Sequence, residues 1–193
     1  YEIDNKITGF GYQKDPRIEE LLEGRNVRKD LALILDCKEE NISLTEEEAL
    51  SGNIIYHYGG LILSDLRSAK GLKLPTEIKG NLNLNVLTSA EGLKLPMEIG
   101  GYLDLRFLKS AEGLELPNEI GGGLYLGNLT SAKGLKLPDK IGGDLDLRGL
   151  TSAKGLKLPD KIGGYLDLSS LTSAEGLKLP DEIGGGLFLD GLR

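Results

Sequence analysis

Proline recurs at Pro75, Pro96, Pro117, Pro138, Pro159 and Pro180, always 21 residues apart, and these are six of the seven prolines in the chain. A near-constant phrase surrounds each one. Residues 131–143 and 152–164 both read SAKGLKLPDKIGG, and residues 173–185 read SAEGLKLPDEIGG. A fixed period of this length is the mark of a solenoid, in which each repeat forms one coil and buries its neighbours. An ordinary globular domain with unlike elements is thereby excluded.

A register of leucines keeps the same period. The pattern L-x-L-x-x-L begins at Leu61, Leu63 and Leu66 and returns at Leu82, Leu103, Leu124, Leu145, Leu166 and Leu187, which predicts seven strand-like segments. Leucines two apart point to one side of a strand. In the coil from 145 to 164 the expected inward residues are Leu145, Leu147, Leu150, Ala153, Leu156, Leu158 and Ile162. No single coil can bury these against itself. Stacked coils can, and each buried leucine then contributes roughly 1.5–3 kcal/mol. Aromatic residues are only 5% of the chain, so this core has to be aliphatic. The chain has 28 glycines, and they mark corners. Gly71, Gly92, Gly113, Gly134, Gly155 and Gly176 hold one equivalent position, expected to need a positive φ or to lack room for a side chain. Gly-Gly pairs such as Gly142-Gly143 mark a second corner before the strand. The leucine before each proline is biased to an extended conformation. With 21 residues per coil, the far side is expected to be extended or 3₁₀-like chain, not a full α-helix.

Residues 59–193, typified by LDLRGLTSAKGLKLPDKIGG, resemble a bacterial leucine-rich repeat, with the Leu-Pro found in the short repeats of secreted bacterial effectors. The resemblance implies an α+β solenoid: a parallel-strand arc of seven coils behind a small N-terminal helical cap, either cytoplasmic or secreted. One departure stands out. Where the usual repeat has Asn or Cys, this chain has Leu66, Leu87, Leu108, Leu129, Leu150, Leu171 and Leu192, so the asparagine ladder gives way to an apolar column. Two L-x-L segments per coil, such as Leu145/Leu147 and Leu156/Leu158, also suit a three-sided parallel β-helix, and both cross-sections stay open.

Residues 1–58 lack the repeat phrase. Asp15-Pro16 followed by RIEELLEG reads as an N-capped helix with Pro at its first position. Val27, Leu31, Ile34 and Leu35 suggest a second helix ending near Cys37. Ser43 with Glu46 resembles a capping box opening a third. This segment is expected to cover the first coil, with the solenoid proper at 59–193 and the chain continuing past Arg193.

Catalytic constellations are scarce, and the expectation is a non-enzyme with no cofactor and no metal. His57 lies at the junction between Tyr56 and Tyr58 without evident partners in sequence, so a structural or surface role is expected. Cys37, the one cysteine, reads as a buried inert thiol. Asp139, Asp160 and Asp181 recur as a column and so read as a solvated edge. No phosphate-cradling or dinucleotide-binding fingerprint is present. The net charge of −7 and the absence of a local Lys/Arg run argue against nucleic acid and anionic membranes. No apolar run approaches the ~18 residues of a transmembrane helix.

The coils differ at the positions flanking the strand leucines. All five aromatics of residues 59–193, Tyr102, Phe107, Tyr125, Tyr165 and Phe188, fall there, beside Asp104, Arg106, Asp146, Arg148 and Asp167. By the period of two these residues should project from the strands onto one exposed face. Tyr, Asp, Arg, Asn and Ser on such a face suit protein binding, because Tyr supplies contact area at low entropic cost. The expected function is therefore a recognition scaffold for a protein partner. The alternatives are the targeting module of a larger effector enzyme and a structural spacer without a specific ligand.

Overall fold

The computed structural model of the chain describes residues 42–43, 56–57 and 59–193. They form a parallel β-solenoid. Seven strands, Leu61–Ile62, Leu82–Asn83, Leu103–Asp104, Leu124–Tyr125, Leu145–Asp146, Leu166–Asp167 and Leu187–Phe188, make one sheet and define coils 1 to 7. Pairing steps by one period: Leu145 registers with Leu124 on one side and Leu166 on the other. The seven expected strands are all present, and all pair in parallel.

A second sheet has eight strands: Ile42–Ser43, Tyr56–His57, Glu77–Ile78, Glu98–Ile99, Glu119–Ile120, Lys140–Ile141, Lys161–Ile162 and Glu182–Ile183. This corrects the sequence reading. The β-helix alternative placed a second strand of each coil at Leu156/Leu158, and it forms instead on the two residues before the glycine corner. The reason lies in the Leu-Pro segment. Its proline has no N–H to give a ladder. Pro159 is buried and Leu158 only partly so, and this third side of the coil has no strand.

The Gly-Gly corner between the sheets is where the coils press closest. Gly142 N donates to Ile120 O at 2.9 Å and Gly143 N to Gly122 O at 2.9 Å. A Cβ on Gly142 would lie 2.1 Å from the carbonyl oxygen of Gly121. Backbone contact with the previous coil, not turn flexibility, demands glycine there. The other glycine column serves a turn: Gly155 has φ 79°, with open space around it. The invariant Ser starts that turn, Ser152 Oγ accepting from Lys154 N at 3.2 Å, and Leu156 N closes it on Ala153 O at 3.0 Å. In the phrase Ser-Ala-Lys-Gly, the serine thus supplies an acceptor, the alanine a core methyl, the lysine a solvated side chain and the glycine a positive φ.

The interior is a set of columns. In coil 5, Leu145, Leu147, Leu150, Ala153, Leu156 and Ile162 are buried as expected. The leucines that replace the asparagine ladder are buried from Leu87 to Leu171. His57 pairs in register with Ile78 and is buried, so it heads the isoleucine column as a structural residue. No helix occurs among the described residues. The helical cap, Cys37 included, was expected within residues 1–58 and lies outside the described residues, apart from the strands at 42–43 and 56–57. No helix among the described residues is long and apolar enough to cross a membrane.

Candidate functional site

The outer side of the seven-stranded sheet gathers the variable residues. Tyr102, on coil 3, meets Tyr125, on coil 4, edge to face, with ring centroids 5.9 Å apart and planes at 73°. Tyr165, on coil 6, meets Phe188, on coil 7, in the same way at 5.8 Å and 82°. In each pair the tyrosine precedes its strand leucine, while the coil below it has glycine at that position, Gly123 or Gly186. The missing side chain makes room for the ring two residues on in the same coil, Tyr125 beside Gly123 and Phe188 beside Gly186. Such edge-to-face pairs are worth about 0.5–1.5 kcal/mol beyond their burial.

The carboxylates behave differently from expectation. Asp104, Asp146 and Asp167 project outward but are not exposed; they keep 2%, 5% and 9% of their surface. Each bends back to accept a backbone N–H two residues on: Asp104 Oδ1 from Arg106 at 3.1 Å, Asp146 Oδ1 from Arg148 at 3.1 Å, and Asp167 Oδ1 from Ser169 at 3.0 Å. Arginine side chains then lie over them. Arg106 Nη2 is 2.6 Å from Asp104 Oδ2, and Arg148 Nε is 2.9 Å from Asp146 Oδ1 and 3.5 Å from Asp167 Oδ2. Strand alternation predicts direction only. A short carboxylate next to a free N–H folds onto the backbone, and its neighbours cover it.

The guanidiniums are the exposed members, held charged above their ordinary value chiefly by the hydrogen bonds to Asp104 and Asp146. Arg106 also places its Cζ 5.9 Å from the Tyr125 ring centroid, a cation–π distance. Burial, and then the charge of Asp144, push the Tyr125 phenol up to about 12; the same two causes raise Tyr165. Tyr125 Oη donates toward Asp144 Oδ2 at 3.5 Å.

The expected residues therefore fall into two groups. Tyr102, Asp104, Arg106 and Tyr125 meet across coils 3 and 4; Asp146, Arg148, Asp167, Tyr165 and Phe188 span coils 5 to 7. Phe107 stands in the turn after its strand, 47% exposed, and joins neither ring pair. No protein-family model, curated protein or solved structure matches the chain. What this face does has to follow from its own geometry.

Sequence reasoning missed Asn81, Asn83 and Asp144. Asn81 Oδ1 accepts Tyr102 N at 2.9 Å and Asp144 Oδ1 accepts Tyr165 N at 3.0 Å, each bond joining two coils. Asn83 Oδ1 accepts Asn85 N at 3.0 Å. The signal in the sequence was the recurrence of Asn or Asp beside the strand leucine, a residue type that bonds nearby backbone. Among the described residues no cluster of His, Cys, Asp or Glu is arranged to hold a metal ion. Two depressions among the described residues are open. One, about 390 Å³, lies where Gly127 and Gly149 lack side chains beside Lys109, Asn128 and Thr130; the other, about 440 Å³, runs between Gly113–Asn118 and Gly134–Asp139.

Proposed function

We propose that this chain is a non-catalytic recognition scaffold, binding a protein partner through the outer face of its seven-stranded sheet. One observation carries the reading. Every aromatic residue of coils 1 to 7 lies on that face or in the turn that leaves it, and four of the five form edge-to-face pairs across neighbouring coils. Solvent-facing drift would scatter aromatics over all sides of the coil. Rigid aromatic anchors edged by Arg and Asp are what binding hot spots are made of. The carboxylates support a binding role over a catalytic one, because their lone pairs are occupied by backbone N–H groups and guanidiniums. The finer reading, a bacterial leucine-rich-repeat protein, rests on the L-x-L and Leu-Pro phrase alone, as does the alternative in which the array targets an effector enzyme.

The experiment is capture by the purified array beside two variants. Tyr125→Ala with Tyr165→Ala should leave the fold intact and weaken the partner by more than about 1 kcal/mol per residue. Lys136→Ala with Lys157→Ala, on the strand-free side, should bind like the parent. If the lysine pair abolishes capture and the tyrosine pair does not, the binding surface lies elsewhere.

A further inference from the structure

A second, longer period runs through the strand face. Coils 1, 4 and 7 read Gly60-Leu61-Ile62, Gly123-Leu124-Tyr125 and Gly186-Leu187-Phe188. Coils 2 and 5 read Asn81-Leu82-Asn83 and Asp144-Leu145-Asp146; coils 3 and 6 read Tyr102-Leu103-Asp104 and Tyr165-Leu166-Asp167. The face repeats every three coils, so coils 2–4 and 5–7 are two copies of one station, about 14 Å apart at the usual strand spacing. The contacts repeat as well. The two ring pairs have nearly the same separation, Asn81 and Asp144 each accept the N–H of the next coil's tyrosine, and Asn83 and Asp146 each accept an N–H two residues on.

Shape is conserved between the stations and charge is not. In coils 2–4 the coil-2 acceptors are amides, and the single carboxylate, Asp104, is matched by Arg106. In coils 5–7, Asp146 and Asp167 share one guanidinium, that of Arg148, while Asp144 has no ion pair among the described residues and accepts only the Tyr165 N–H and, at 3.5 Å, the Tyr125 hydroxyl. The molecule also displays what such a station holds. Arg106 and Arg148 are guanidiniums seated on these carboxylates, and Arg106 lies against a ring of the aromatic pair.

We infer that coils 5–7 form a docking station for an arginine-bearing basic segment of the partner protein, and that coils 2–4 are its electrically balanced replica, matched in shape but without the charge preference. The inference rests on the partner reading of this face. A guanidinium fits because it can share the Asp144 carboxylate while stacking on the Tyr165–Phe188 pair, in the manner of Arg106 on Tyr125. The surplus of negative charge supplies the complementarity, and the binding it gives weakens as salt rises.

The test uses the ¹⁵N-labelled full chain and acetyl-tetra-arginine amide as probe, with acetyl-tetra-glutamate amide as control, followed by amide shifts at low and high salt. Tetra-arginine should shift residues 144–190, together with Tyr125, whose hydroxyl bonds Asp144, and leave 81–106 unmoved. Asp144→Asn with Asp146→Asn copies the residues of coil 2 and should weaken the probe by about tenfold. The reverse exchange, Asn81→Asp with Asn83→Asp, should create a second set of shifts on coils 2–4. Both exchanges place residue types the same backbone already accepts. Should the Asn variant lose its fold, the gain-of-binding variant decides alone. Shifts spread along the Asp139, Asp160 and Asp181 edge, undiminished binding to the Asn variant, or no gain in the Asp variant would each overturn the inference. None of these outcomes touches the aromatic reading, which the Tyr125 and Tyr165 variants test separately.

Discussion

Asp146 accepts the backbone N–H of Arg148 at 3.1 Å and pairs with the same residue's guanidinium at 2.9 Å. One carboxylate thereby closes the turn after the strand and fixes the side chain above it. Asp146→Ala removes both bonds and leaves a covered N–H without its acceptor, so it should cost about 1–3 kcal/mol. Asp146→Asn keeps the acceptor, as Asn83 does in coil 2, and should cost clearly less. Leu147→Ala, beneath it in the core, should cost roughly 2–5 kcal/mol. Urea melts of the three variants check the order: leucine worst, alanine for aspartate next, asparagine mildest.

The two glycine columns should respond differently to alanine. At Gly142 the new methyl would meet the carbonyl oxygen of Gly121 at 2.1 Å, with no side chain able to yield. Gly142→Ala should therefore destabilise by about 3 kcal/mol or more. Gly155 has open space, and alanine there meets only the penalty of its φ of 79°, roughly 1–2 kcal/mol. Equal melting midpoints for the two variants would refute the stacking argument.

Alkaline pH should loosen the strand face. The Tyr125 phenol, raised from the ordinary 10.0 to about 12 by burial first and by Asp144 second, keeps its proton longer in the folded chain than in the unfolded one. Stability from this group is complete below pH 10 and is lost as the pH rises towards about 12. Tyr125→Phe should flatten that part of the stability profile. Ultraviolet titration should show late phenols, Tyr125 the latest, that move to lower pH in Asp144→Asn.

The exposed ion pairs should matter little. Lys161 and Glu182 are 2.7 Å apart across neighbouring strands, with side chains 63% and 59% exposed. Lys161→Ala should shift stability by less than about 1 kcal/mol. A thermal melt matching the parent's within a degree or two would agree with this; a large loss would not.

Much of this architecture could be read before any coordinates. The 21-residue period, the inward leucines, the turn at Gly155 and the corner at Gly142 all follow from which backbone geometry each residue type tolerates. Strand placement on the second side did not follow. Leu156 and Leu158 alternate like a strand, but the proline beside them withholds an N–H, and Lys140–Ile141 gains its ladder from the glycine corner that follows. The site was half legible. Alternation told which side Asp146 leaves from, not that it folds back onto Arg148 N. The link between Asn81 and Tyr102 spans one whole period, and only stacking brings the two together.

The seat that Gly123 provides for the Tyr125 ring of its own coil, and so for the Tyr102–Tyr125 pair, limits how such an array can be edited. A Cβ at Gly123 would stand 2.9 Å from Tyr125 Oη, and a larger residue would occupy the ground of the ring pair. The glycine and the aromatic two residues after it therefore travel together, and a tyrosine coil keeps its ring partner only when such a coil follows it. Delete one coil, or exchange two, and tyrosine faces asparagine, aspartate or another tyrosine. The leucine columns would accept any such cut, since every coil offers them the same interior. The outer face would not. The smallest piece that can be added, removed or transplanted without spoiling the surface is three coils, so the grammar of the exterior, not the packing of the core, sets the increments in which this molecule can lengthen.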